Sequence, residues 1–211
     1  MQDKRLETGP FAGRVTEKRL NTIERVVKQR QLDLTVVIEN IHDPHNVGAI
    51  FRSADAVGIE EVQLLYTKEK LPKLHPKVTA SGGKWVKQRP YDDPAKLTAD
   101  LKSRGFTLYT THLSRDAISI HDVDWTKPSA IILGNENRGV SSDMTEHADH
   151  NILIPMFGMV ESLNVSVATA VILFEACRQR YAAGQYPNDQ LSEDWVAQTV
   201  RDWVNINYRH R

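Results

Sequence analysis

The run Leu34-Thr35-Val36-Val37-Ile38 is apolar on both faces and too short for a helix, so it reads as a strand buried between two layers. Similar runs follow at Val62 to Tyr66, Phe106 to Thr111, Ala130 to Leu133 and Ile152 to Ile154, the last closed by Pro155. Helical periodicity fills the gaps between them. Val47, Ile50, Phe51 and Ala54 recur at i, i+3, i+4 and i+7 in a helix from Asn46 to Val57, with Gly58 as its stop. Pro94 to Arg104 reads as another, ended by Gly105. Asn164 to Ala183 reads as a long one, apolar in its first half and basic at Arg178 and Arg180. Strands alternating with helices imply an α/β fold with a mainly parallel sheet flanked by helices.

At the ends the pattern changes. Thr16 can cap an amphipathic helix running to about Gln31, with Leu20, Ile23, Val26 and Val27 on one face. Ser192 to Tyr208 can form another, using Trp195, Val196, Val200, Trp203 and Val204. The expected organisation is a basic helical extension over 1–33, an α/β domain over 34–184 and a helical extension over 185–211. The 27 basic and 27 acidic residues cancel, which counts against coating nucleic acid by bulk charge. Positive charge is nevertheless concentrated before residue 33, where Lys4, Arg5, Arg14, Lys18, Arg19, Arg25, Lys28 and Arg30 outnumber Asp3, Glu7, Glu17 and Glu24. No apolar run is long enough to cross a bilayer, the polar N-terminus is neither a signal nor a transit peptide, and the single Cys177 cannot form an internal disulfide. The expected location is the cytoplasm, with no membrane partner.

Polar and glycine-rich segments lie at strand ends, where open α/β sheets bind ligands. Asn40 to Arg52 places Asn46 and Arg52 at the first turns of a helix; a helix cap and a surface ion pair would account for them equally well. Gly134-Asn135-Glu136-Asn137-Arg138-Gly139 follows a buried strand and reads either as a ligand loop or as an ordinary strand-to-helix turn. Ile154 to Ser166 carries Ser162, Asn164 and Ser166 into a buried helix, as caps do routinely. Thr67 to Val86 is a long loop rich in Lys, Pro and Gly, a length often tied to function. No phosphate loop, dinucleotide fingerprint or G-x-S-x-G elbow occurs, and His42 and His45 lack further ligands at metal spacing. No metal site is expected.

Taken in order, Asn46 to Arg52, Gly134-Asn135-Glu136 to Gly139, and Ile154-Pro155-Met156 to Ser162-Leu163-Asn164 resemble the three motifs of the TrmH-type SPOUT methyltransferases. The similarity runs from about Leu20 to Gly184 and is greatest to the members that methylate guanosine ribose in the D-loop of transfer RNA, at guanosine 18. The resemblance implies a C-terminal trefoil knot and S-adenosylmethionine bound among Thr111, Leu133, Gly134, Ile154, Met156 and Leu163. It implies an obligate homodimer, in which each pocket is completed by the other subunit. Arg52 would act on the 2′-hydroxyl with Asn46, Glu136 would orient Arg52 or the dimer loop, and Ser162 and Asn164 would shape the active-site side of the pocket. Arg19, Arg30, His45, Lys84, Arg178 and Arg180 would contact transfer RNA; DNA is not an expected partner. Thr22 stands where arginine is expected, and Gly48 where close relatives carry serine. The alternatives are the same reaction on 23S ribosomal RNA, or a non-catalytic RNA-binding protein of the same fold. The short tract before the first strand, too small for a separate RNA-binding domain, favours transfer RNA.

Overall fold

Alternate residues along the central strands point into different layers, and the packing of this protein follows from that alternation. The computed structural model describes residues 15–72, 82–111 and 116–209, which fall into two units, 31–183 and the termini 1–30 with 184–211. In the larger unit the strands are β1 (Leu34–Glu39), β2 (Glu61–Leu65), β3 (Lys87–Tyr91), β4 (Thr107–Thr110), β5 (Ile118–Ser119), β6 (Ser129–Leu133) and β7 (His150–Leu153). They form one seven-stranded sheet in the order β3-β2-β1-β6-β4-β7-β5, every pair parallel.

Val36 and Ile38 of β1 and Ile131 and Leu133 of β6 join one core, with Val47, Ile50, Phe51 and Ala54 of α2 (Pro44–Ala56) and Ile172, Leu173 and Ala176 of α6 (Val165–Ala182). Val37, Ala130 and Ile132 face the other way, against Leu97 and Leu101 of α4 (Pro94–Ser103) and Met144 of α5 (Ser142–His147). The sheet is thus covered on both faces, as a purely parallel sheet requires. Trp125 is fully buried on the first side, its indole N–H donating to the Ile120 carbonyl at 2.7 Å and its ring tilted against Tyr109.

Several elements and boundaries depart from the sequence reading. β3 is an edge strand of exposed Lys87, Gln88, Arg89 and Pro90; with only β2 to pair with it carries no apolar run, and its charges and proline protect the open edge. β5 is two residues long and α5 six, both below the length at which periodicity registers. The second helix begins at Pro44, not Asn46, because Asp43 caps it and proline suits its first position. Of the long Thr67 to Val86 loop, residues 73–81 lie outside the described ones, and α3 (Gly82–Trp85) follows them.

In the smaller unit, Thr16 caps α1 (Glu17–Val27), which buries Leu20, Ile23 and Val27 and packs with α7 (Glu193–Arg209). α1 stops short of Gln31 because the Gln29 and Arg30 amides bond three residues back. Asn188 then closes the turn, bonding the Lys28 and Arg30 carbonyls at 2.9 and 2.8 Å. Arg30 is fully buried, its guanidinium 4.7 Å from the Trp203 ring centroid.

Two expected RNA contacts are therefore corrected. Arg30 cannot reach a phosphate from its buried stack, and Arg180, on α6, is likewise fully buried. Its guanidinium donates to the Gln31 side chain, to the carboxylate and carbonyl of Asp33, and to the carbonyls of Trp125 and Lys127. This fork ties α6 to the segments that lead into β1 and β6. Arg180→Ala is expected to lower stability by roughly 2–4 kcal/mol, because several buried acceptors lose their donor at once. Arg180→Lys should restore only part of it, since an ammonium cannot present a planar fork. A denaturant midpoint unchanged in the alanine variant would contradict this role.

Candidate active site

A cavity of about 490 Å³ opens at the C-terminal ends of the central strands, between the segments after β4, β6 and β7 and the start of α6. Apolar Leu133, Ile152, Ile154 and Leu163 wall it, with Gly134 and Met156 also in the lining. Thr111, Leu133, Gly134, Ile154, Met156 and Leu163, the residues assigned to a cofactor, all line it, as do Glu136, Ser162 and Asn164.

The loop after β6 is held by close approach. A Cβ on Gly134 would lie 2.1 Å from the Gly139 carbonyl carbon and the Val140 nitrogen, so only glycine fits there. Gly139 turns back with φ +69°, and its N–H donates to the Asn135 carbonyl at 2.8 Å. The Asn135 side chain donates to the Asn40 carbonyl at 2.8 Å and accepts from the Asn137 and Arg138 amides. Asn40, in the left-handed region at φ 51°, gathers the amides of Thr67, Lys68 and Glu69 on its side-chain oxygen. The buried carboxylate of Glu39 accepts from the Ser141 amide at 3.0 Å.

A chain of polar contacts crosses the site. Asn164 caps α6, its oxygen accepting from the Ser166 and Val167 amides. Its nitrogen donates to Asn46 at 3.1 Å, and the Asn46 nitrogen donates to Glu136 at 2.9 Å. The other Glu136 oxygen lies 3.4 Å from Nδ1 of His42. Partial burial works to raise the Glu136 pKa, but the Asn46 amide, backbone amides and His42 outweigh it and hold the carboxyl below the ordinary glutamate value. Nearby, burial first and Glu136 second push the Tyr66 phenol well above its usual range, and its hydroxyl donates to the Ile41 carbonyl.

The structure thus brings Asn46, Glu136 and Asn164 together, and within the chain no contact joins Glu136 to Arg52 among the described residues. Glu136 holds Asn46 and faces His42. Arg52 is exposed on α2, with no ion-pair partner among the described residues. Asn46 is not a cap, that role falling to Asp43. Ser162, His45 and Arg19 are exposed, while Lys84 lies 4.9 Å from the Trp85 ring centroid. Arg178 is exposed but closed on Glu175 through two bonds of 2.9 and 2.8 Å, which bring that carboxyl down to about 2 against the opposing effect of burial. Sequence reasoning missed His42 as a neighbour of Glu136, and Asn40 and Asn135 as braces; a non-glycine residue in the left-handed region has no signature in a single sequence.

Residues 33–174 match the SpoU rRNA Methylase family. The chain is 47% identical over 191 residues to the tRNA (guanosine(18)-2'-O)-methyltransferase of Thermus thermophilus, spanning 90% of this chain and 97% of that one. It resembles the crystal structure of the Aquifex aeolicus TrmH/SpoU tRNA modifying enzyme with a TM-score of 0.83 and 40% identity, covering 90% of this chain and 96% of that one. The SpoU methyltransferase AviRb of Streptomyces viridochromogenes, in complex with the cofactor AdoMet, is similar at a TM-score of 0.64 and 26% identity, over 72% of this chain and 60% of that one.

Because the folded-state pKa of Glu136 is depressed, its stabilising contribution is present at neutral pH and is lost as pH falls through that value. Carboxyl-resolved NMR titration should find its midpoint below that of an ordinary glutamate. Asn46→Ala should move the midpoint upward; an unmoved midpoint would show that the amide contact does not hold the charge.

Proposed function

The chain belongs to the SpoU rRNA Methylase family, and from that premise we propose that it methylates the ribose 2′-oxygen of guanosine 18 in the D-loop of transfer RNA, using S-adenosylmethionine. The observation that carries this reading is the Asn164–Asn46–Glu136 chain beside an apolar-walled cavity at the strand ends. The cavity volume, about 490 Å³, suits a nucleoside-sized cofactor. Leu133, Ile154 and Leu163 would cover its apolar parts, and the backbone at Gly134 and Met156 would meet its polar ones. When bound, S-adenosylmethionine supplies a methyl group already activated on a sulfonium.

The residues of the chain then have to position the ribose and manage one proton. As the new O–C bond forms, the 2′-oxygen loses its hydrogen. A guanidinium is a poor proton acceptor, so the role of Arg52 is to stabilise the negative charge developing on that oxygen, while a water or an RNA phosphate takes the proton. Asn46 is held rigidly at both ends and orients the site; Ser162 and Asn164 shape its rim. Exposed Arg19 and His45 and half-buried Lys84 are the proposed RNA contacts, and the 2′-hydroxyl requirement favours RNA over DNA. The same reading brings with it a trefoil-knotted C-terminal segment.

A homodimer is part of the proposal. Val167, Val171 and Phe174 form a stripe along the outer face of α6, and Phe157 and Met159 are 98% and 99% exposed in the segment that precedes it. Such a patch suits a second copy better than water. No helix among the described residues is long and apolar enough to cross a membrane, and the proposed location is the cytoplasm.

Incubation with labelled S-adenosylmethionine and unmodified transfer RNA should yield 2′-O-methylguanosine at position 18; label confined to ribosomal RNA would overturn the substrate. In the same assay Arg52→Lys should lose at least about a hundredfold in rate. Near-normal activity with a shifted pH optimum would instead make residue 52 the proton acceptor. Phe174→Glu should convert a dimer to a monomer in sedimentation; a monomeric unmodified protein would refute the dimer.

A further inference from the structure

Resting on the cofactor reading above, we infer that Glu161 makes the cavity prefer a cationic methyl donor over its neutral demethylated product. Among the described residues, the charged side chains that line the cavity are Glu136 and Glu161, with no lysine, arginine or histidine to balance them. Glu136 is already engaged by Asn46 and His42. Glu161 is different: it lies between β7 and α6, and its carboxylate makes no hydrogen bond or ion pair with a described residue. Glu161 is exposed at the rim of the cavity, so it acts on a ligand's charge as a solvent-screened carboxylate, an effect modest in size and weakened by salt.

The two ligands of the reaction differ in one charge. S-adenosylmethionine and S-adenosylhomocysteine share an ammonium and a carboxylate, but only the first carries a sulfonium. During transfer the C–S bond breaks with its electron pair left on sulfur, the O–C bond forms, and the ribose proton departs to water or phosphate. The ligand left in the cavity is then a neutral thioether. Glu161 therefore attracts the donor more than the product, which favours loading and release. Because the charge on sulfur disperses as the bond breaks, this attraction belongs to binding more than to the rate of transfer.

Calorimetric titration of each ligand into the unmodified protein and into the Glu161→Gln and Glu161→Asp variants tests this. Glu161→Gln should weaken S-adenosylmethionine about threefold while leaving S-adenosylhomocysteine essentially unchanged. Glu161→Asp, which keeps the charge, should stay close to the unmodified protein. The unmodified protein should also bind the donor with a steeper salt dependence than the product. Equal losses for both ligands, or none for either, would overturn the inference, as would equal salt dependences should the glutamine variant fail to fold. Failure of the unmodified protein to bind either ligand would sink the cofactor reading itself, a separate outcome.

Discussion

A carboxylate can only accept hydrogen bonds, and the first amides of a helix can only donate them. Between these two ends, Glu136 and the start of α6, the side chains of Asn46 and Asn164 have one consistent orientation. Asn46 must turn its nitrogen to Glu136, which presents its oxygen to Asn164, whose own oxygen is then left to cap α6. Reversing either amide would set two donors or two acceptors face to face. The candidate site inherits its geometry from this polarity. Helix α2, helix α6 and the loop after β6, far apart in sequence, are joined by these contacts and by the apolar core beneath them.

That arrangement would be loose if the loop bearing Glu136 could move. It is stiffened by backbone approach and by buried polar groups with no other use. Gly134 packs against the Gly139–Val140 peptide with no room for a side chain, and Asn135 bridges the turn to Asn40. Asn40 in turn gathers the amides of the loop after β2, and Arg138 pairs with Glu69 of that loop at 2.7 Å. Because β1 lies directly between β2 and β6, both loops leave the same edge of the sheet and can brace each other. Strand order thus supplies the rigidity on which positioning depends.

What the sequence made legible follows from how strongly each element is constrained by its neighbours. β1 and β6 are covered on both faces, so most of their residues are apolar and they announce themselves. β3 touches the sheet along one edge only and is exposed, so its sequence is free to be Lys-Gln-Arg-Pro-Tyr and looks like a loop. The cavity-lining residues could be named through the resemblance, since strand ends and turn residues carry the motifs. The partner of Glu136 could not: which of Arg52, Asn46 or His42 meets a given carboxylate depends on angles around α2 that periodicity does not fix. Asp43 and Pro44 do carry a readable start signal, and starting the helix there places Asn46 in its first turn instead of at its cap.

Arginine makes the same point more sharply. Arg178 and Arg180 are two residues apart on α6, and a helix turns them about 200° from each other. Ile172, Leu173, Ala176 and Arg180 share the buried face, while Phe174 and Arg178 lie on the exposed one. Continuing the apolar stripe by four residues from Ala176 reaches Arg180, so the sequence did hold the signal that this arginine belongs to the interior. A guanidinium can sit there because it has five donors in a plane and finds five acceptors around it; a lysine or a single ion pair would leave the surrounding carbonyls unsatisfied. Arg52 has no such set of acceptors. It lies exposed on α2, so burial among acceptors, more than position in a basic stretch, marks Arg180 as structural.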